Sequence, residues 1–313
     1  MFALLHETLT ITAPVFCMLL VGVLLRRIGL IDEVFIYSAS SLVFNATMPT
    51  LLFLGIVEMD PDVPIHPGVL VYLCLASVLG FLFAWGWALR HCPRADRGVY
   101  VQGAFRGNNG TVGLALAASL YGSYGLSLGS VMAGAVILFY NGLSSIVLAV
   151  YSPTAKTDAW SLCKTILRNP LIIGVLLASP FAWFDIRLPT WLLTSGHYFA
   201  QMTMPLALIC IGASLSLSSL RRSSELAFSA SLMKMVWLPL VSTLGAWLLG
   251  FRGADLGVLF LYFASPTASV SFIMARAVNG NHELAAAIVA ITTVAAVLTT
   301  NIGLFVLQWA GWI

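Results

Sequence analysis

Charge is scarce in this chain. Only 9% of its 313 residues are Asp, Glu, Lys or Arg, where a soluble globular chain carries about 25%. Lys and Arg outnumber Asp and Glu by only three, too few to mark a nucleic acid or other anionic polymer as a partner. Cysteine is sparse as well. Cys17, Cys74, Cys92, Cys163 and Cys210 form no C-x-x-C and have no ligating neighbours at metal spacing, which argues against a disulfide framework, a zinc site or any other metal or cofactor site. The first residues offer His6 and Glu7 where a secretory leader would carry basic residues, so the first apolar run is expected to stay as a spanning helix. What is abundant is apolar surface. At 60% hydrophobic, the chain holds more than a single core can hide, and the excess must face lipid.

A spanning helix needs about 20 mostly apolar residues. Divided at its charged and turn-rich points, the sequence yields ten: 5–25, 37–57, 67–89, 98–120, 126–151, 160–183, 191–215, 226–250, 256–278 and 284–309. Basic residues then set the orientation. Connections after odd-numbered spans hold Arg26, Arg27, Arg90, Arg94, Arg97, Lys156, Lys164, Arg221, Arg222 and Arg276, whereas those after even-numbered spans hold only Arg187 and Arg252. This asymmetry places the basic loops in the cytoplasm and both termini outside.

An internal repeat runs through these spans. Thr47-Met48-Pro49 in span two recurs as Thr203-Met204-Pro205 in span seven, an offset of 156 residues, and the same offset carries Pro14 onto Pro170. Ala95-Asp96-x-Gly98-Val99 recurs as Ala254-Asp255-x-Gly257-Val258 at an offset of 159. The fold class expected is an all-α polytopic membrane protein of two five-helix repeats, residues 1–151 and 160–313. Five spans per repeat force the second copy to enter the bilayer inverted, an architecture recurrent among secondary transporters.

Spans four and nine are poor continuous helices. Span four carries Arg106-Gly107-Asn108-Asn109-Gly110-Thr111 where hydrocarbon is expected, and glycine and intramembrane polar groups are costly there. Span nine carries Ser265-Pro266-Thr267-Ala268-Ser269. Proline removes a backbone donor, and Ser-Pro suits the start of a new half-helix. Two breaks at matching positions would cross near the bilayer centre, with half-helix N-termini favouring an anion. Candidate substrate-binding residues are therefore Arg106, Asn108, Asn109, Thr111, Ser265, Pro266, Thr267 and Ser269, with Asn45 and Gln201 beside the repeated Thr-Met-Pro. Arg106 admits two readings. Its planar fork suits a carboxylate, or it caps the carbonyls that end the first half-helix. Asn45 and Gln201 serve equally as helix–helix glue. His197 reads as a proton relay or a packed neutral ring, Glu58 as solvated, and Lys234 as snorkelling from the inner end of span eight.

The Phe44-Asn45-Ala46-Thr47-Met48-Pro49 segment, the Gly107-Asn108-Asn109-Gly110-Thr111-Val112-Gly113 break and the Ser265-Pro266-Thr267-Ala268 break resemble those of the auxin efflux carrier family, its bacterial members above all. The resemblance covers nearly the whole chain. It implies the fold of the bile acid–sodium symporter superfamily, with spans one, two, six and seven as a scaffold and spans three to five and eight to ten as a moving core. It further implies a secondary carrier or facilitator of small organic anions such as malate or malonate, in a bacterial inner membrane, and leaves open a homodimer through the scaffold spans. The family's crossover asparagine falls on Asn108 or Asn109 and its second-repeat proline on Pro266. Gly107 stands where plant carriers have proline, and Arg106 where a small polar residue is expected. Three alternatives compete with the anion carrier. A sodium symporter would draw neutral oxygens from Asn108, Asn109, Thr111, Ser265, Thr267 and Ser269. An intramembrane hydrolase would need a nucleophile for His197 or His282. A channel would need rings of like charge.

Overall fold

The computed structural model describes residues 2–58, 67–151, 170–184, 186, 188–215 and 225–313, with side chains from residue 13 onward. Lys156, Lys164, Arg187, Arg221 and Arg222, and the first part of the expected sixth span, lie outside the described residues. What is described is helical. We label the helices α1 (Phe2–Arg27), α2 (Glu33–Val57), α3 (Pro67–His91), α4 (Arg97–Phe105), α5 (Asn109–Tyr151), α6 (Pro170–Trp183), α7 (Thr190–Gln201), α8 (Thr203–Ser214), α9 (Glu225–Leu248), α10 (Gly253–Ala264), α11 (Val270–Ala277) and α12 (His282–Trp309). Five of them (α2, α3, α5, α9 and α12) are long and apolar enough to cross a membrane. Large apolar side chains such as Leu20, Leu79, Phe83, Val241, Leu298 and Ile302 face outward, as surfaces bathed in acyl chains require.

Local chemistry explains most of the boundaries. The Asp32 carboxylate accepts from the Phe35 N–H at 2.8 Å and starts α2, and the Asn281 side chain accepts from Leu284 N–H at 3.0 Å and starts α12. Such caps satisfy N–H groups that have no partner within the helix. Helix α5 is kinked at Gly122, whose φ of 57° and ψ of −135° leave the helical region. A positive φ is cheap only for glycine, so this residue separates the expected end of span four from span five. Helices α2, α5 and α9 each contain a π turn, at Val43–Thr47, Asn109–Gly113 and Met233–Trp237.

Packing falls into two groups. Helix α1 lies along α8 and also packs on α12 and α5, and α6 and α7 pack on the second half of α2. At the α1–α8 crossing, a Cβ on Gly22 would strike the Ile209 carbonyl, and one on Gly212 would strike that of Leu19. These two glycines let the backbones touch, as small residues do between helices in lipid. Helices α3, α4, α9, α10, α11 and α12 pack with α5 around Tyr100, Phe105, Leu128, Met132, Tyr262, Phe263 and Ile288, all buried. A smaller apolar cluster joins the groups through Met48, Leu52, Leu114, Leu171 and Ala207.

Candidate functional site

Helix α4 stops at Phe105 because Arg106 turns extended, at φ −78° and ψ 109°. Helix α10 stops at Ala264 in the same way, with Ser265 at φ −63° and ψ 142°. The two extended stretches run antiparallel and pair through a bridge between Gly107 and Thr267. The Asn108 N–H donates to the Pro266 carbonyl at 2.7 Å, and the Ala268 N–H donates to the Arg106 carbonyl at 3.2 Å. Backbone freed by one broken helix is thus satisfied by the other, the condition for irregular chain inside apolar surroundings.

The eight break residues expected from the sequence come together here, in two layers. Arg106, Asn109, Ser265, Pro266 and Thr267 are buried, whereas Asn108, Thr111 and Ser269 are half-buried. In the inner layer, Ser265 Oγ donates to Asn109 Oδ1 at 2.9 Å and Thr267 Oγ1 donates to the Gly103 carbonyl at 2.7 Å. In the outer layer, the Thr111 hydroxyl donates to Asn108 Oδ1. Gly107 is fixed by close approach, since a Cβ there would collide with Asn109 Oδ1. Asn45 and Gln201 do not join this group. Both are exposed, and Asn45 Nδ2 donates to the Ser41 carbonyl one turn back at 2.9 Å.

Arg106 is 7% exposed, and its guanidinium points into the bundle. It donates to Asn141 Oδ1 at 2.7 Å, to the Tyr140 carbonyl at 3.4 Å and to Met274 Sδ at 3.0 Å. The carbonyl it caps belongs to α5, not to the end of α4. Lys234 departs from the snorkelling expected of it. It is fully buried in the π turn of α9, and its ammonium donates to the Phe263 carbonyl at 2.7 Å. His197 is not a packed ring. It is part-exposed and pairs with Glu58 at 2.8 Å, tying α7 to the end of α2.

Two further residues join the candidates. The hydroxyls of Thr47 and Thr203, the matching residues of the repeated Thr-Met-Pro, are buried and have no hydrogen-bond partner among the described residues. Several helical hydroxyls turn back on their own helix, such as Thr50 to Ala46, Ser130 to Leu126 and Thr293 to Val289. Those of Ser144, Thr243 and Ser271 are, like Thr47 and Thr203, without a partner among the described residues. Thr47 closes a π turn and Thr203 follows a break at Met202, so neither has a regular turn behind it. Their neighbourhood faces the crossover. Met48 Sδ lies 3.6 Å from where a Cβ of Gly110 would stand, and α8 packs on the first turn of α5. The signal was the repeat itself.

A G-x-S-x-G pattern does occur, at Gly125-Leu126-Ser127-Leu128-Gly129. Ser127 lies within helix α5, not on the strand-to-helix elbow that exposes a hydrolase nucleophile.

Apolar helices of spanning length, two of their neighbours broken and crossed, define a polytopic membrane protein. Residues 8–303 match the membrane transport protein family, and the chain belongs to it, the family of the auxin efflux carriers. It is similar to the uncharacterized transporter MJ1031 of Methanocaldococcus jannaschii, 23% identical over 96% of each chain. An uncharacterized transporter of Methanothermobacter thermautotrophicus is 24% identical over 83% of this chain and 85% of its own. The uncharacterized transporter YfdV of Escherichia coli is 21% identical over 94% of this chain and 95% of its own.

Proposed function

We propose that this membrane transport protein is a secondary carrier of small carboxylates that works by alternating access, in a bacterial inner membrane with its basic loops cytoplasmic. The observation that carries the reading is the reciprocal pairing of the two broken helices, with the starts of their second halves half-buried rather than sealed. The first N–H groups of a helix have no intrahelical acceptor and sit at its positive end. Two such ends, on α5 and α11, favour an anion between them.

The layering divides the roles. Asn108, Thr111 and Ser269 are the side chains able to meet a substrate. Asn109, Ser265, Pro266 and Thr267 hold them in place, and Arg106 braces the break from within. Thr47 and Thr203 offer hydroxyls from the opposite group of helices. The packing supports a division in which α1, α2 and α6–α8 form a scaffold and the remaining helices a moving core. The antiparallel bridge and the matched breaks fit two inverted five-helix repeats. Saturable uptake of radiolabelled malonate or malate into proteoliposomes containing the purified chain is the expected result. Liposomes that accumulate neither these nor a monocarboxylate beyond protein-free controls would overturn the reading.

A further inference from the structure

A lysine wholly removed from water is rare unless something neutralises it. Lys234 is 0% exposed and sits in the bundle between α9 and the crossover. Its Nζ donates to the Phe263 carbonyl at 2.7 Å and lies 3.3 Å from where a Cβ of Gly107 would stand. No carboxylate pairs with it among the described residues, where the ion pairs are the peripheral Arg26–Glu33 and His197–Glu58. What compensates the ammonium is the last turn of α10. Its carbonyls point along the helix axis at the break and carry the negative end of the helix dipole. In carriers built from broken helices, such carbonyl ends are where a coupling cation is held.

We propose that Lys234 is the built-in cation of the crossover, its ammonium standing at the carbonyl end of α10 in place of a free sodium ion, so that the carrier neither binds nor requires sodium. Several of the oxygens that a sodium site would draw on already accept a hydrogen bond. The Gly103 carbonyl accepts from Thr267, Asn108 Oδ1 from Thr111, and the Tyr262 carbonyl or Asn109 Oδ1 from the one Ser265 proton. A cation tethered to α9 cannot leave the site as a sodium ion does, so no sodium gradient enters the cycle. It adds fixed positive charge beside Gly107, next to the two helix starts proposed to receive the anion. Lys234 lies in the π turn Met233–Trp237 of α9, where Met233 and Met235 are buried with it.

The transport half of this inference rests on the carrier reading above, and the ion half does not. The full-length purified chain is melted in sodium, potassium and choline chloride at equal ionic strength. Coincident melting temperatures are expected, and a rise specific to sodium would overturn the proposal. Malonate uptake into proteoliposomes is then compared with sodium and with choline on both sides. Equal rates are expected, whereas a sodium requirement would overturn it. Lys234→Met keeps most of the stem and removes the charge. It is expected to lower uptake at least about tenfold, the scale of one lost charge-assisted bond. Wild-type uptake by that variant would also overturn the proposal. If the wild-type chain transports no carboxylate, the carrier reading fails while the melting comparison still decides whether sodium binds.

Discussion

Asn108 and Pro266, 158 positions apart in the chain (108 to 266), share the hydrogen bond on which the crossover turns, with the asparagine N–H 2.7 Å from the proline carbonyl. Neither residue has a helical partner in that direction. Each break therefore completes the other, and disturbing one should unsettle both.

Pro266→Ala tests that coupling. Alanine restores a donor and relieves the clash that stops α10, so α10 and α11 can approach a continuous helix. Uptake per inserted molecule is expected to fall at least about tenfold, or ~1.4 kcal/mol in the barrier, with membrane insertion retained. Transport rate normalised to folded protein checks it.

Gly107→Ala introduces a methyl group into the space of Asn109 Oδ1. Overpacking of this kind costs about 1–3 kcal/mol, and it also threatens the Ser265–Asn109 bond. A lower melting temperature is expected together with weakened carboxylate binding.

Arg106→Ala removes the bonds to Asn141 and the Tyr140 carbonyl. A hydrogen bond to a charged group is worth about 1.5–3 kcal/mol, so stability should drop by that order. Affinity for malonate, measured by calorimetry on monodisperse protein, should stay near native. A loss of affinity of about tenfold or more, with stability unchanged, would make Arg106 a direct ligand instead.

Thr47→Val and Thr203→Val exchange a buried hydroxyl that has no partner among the described residues for a methyl group of the same shape. Replacing such a group is neutral or stabilising for the fold, because its desolvation cost disappears. Melting temperatures are expected to hold or rise while uptake falls. A pair of variants that transport normally would confine these hydroxyls to packing.

Cys92, just beyond α3, offers a pH-dependent test. Burial, and then Asp96, push its thiol up to about 11, with Arg97 opposing. The thiolate is the reactive form, so alkylation by iodoacetamide should be slow at neutral pH and should rise as the pH is raised above that at which an ordinary thiol ionises. Site-resolved mass spectrometry reads the rate.

The breaks were legible in the sequence because glycine, proline and polar residues in hydrocarbon break a strong rule. Arg106-Gly107-Asn108 and Ser265-Pro266-Thr267 are where the chain leaves helix. Which of those residues faces inward was not legible, since depth within a bundle depends on neighbours far along the chain. Arg106 finds its partners at 140, 141 and 274. The inward course of Lys234 was illegible for a related reason. A regular helix would let it reach the interface, but the π turn alters the helix phase by one residue and swings it inside.

The three π turns, in α2, α5 and α9, have a consequence for how this chain tolerates changes in its length. Each accommodates one residue beyond what an unbroken α-helix of the same rise would hold. Deleting Phe44 or Val236 would let the ladder close into α geometry with both flanks still in phase. A deletion at Leu79 or Leu298, in regular helix, would rotate everything downstream by about 100°, one residue's share of a 3.6-residue turn. The chain thus holds spare length at its π turns and none in the regular helix around Leu79 and Leu298.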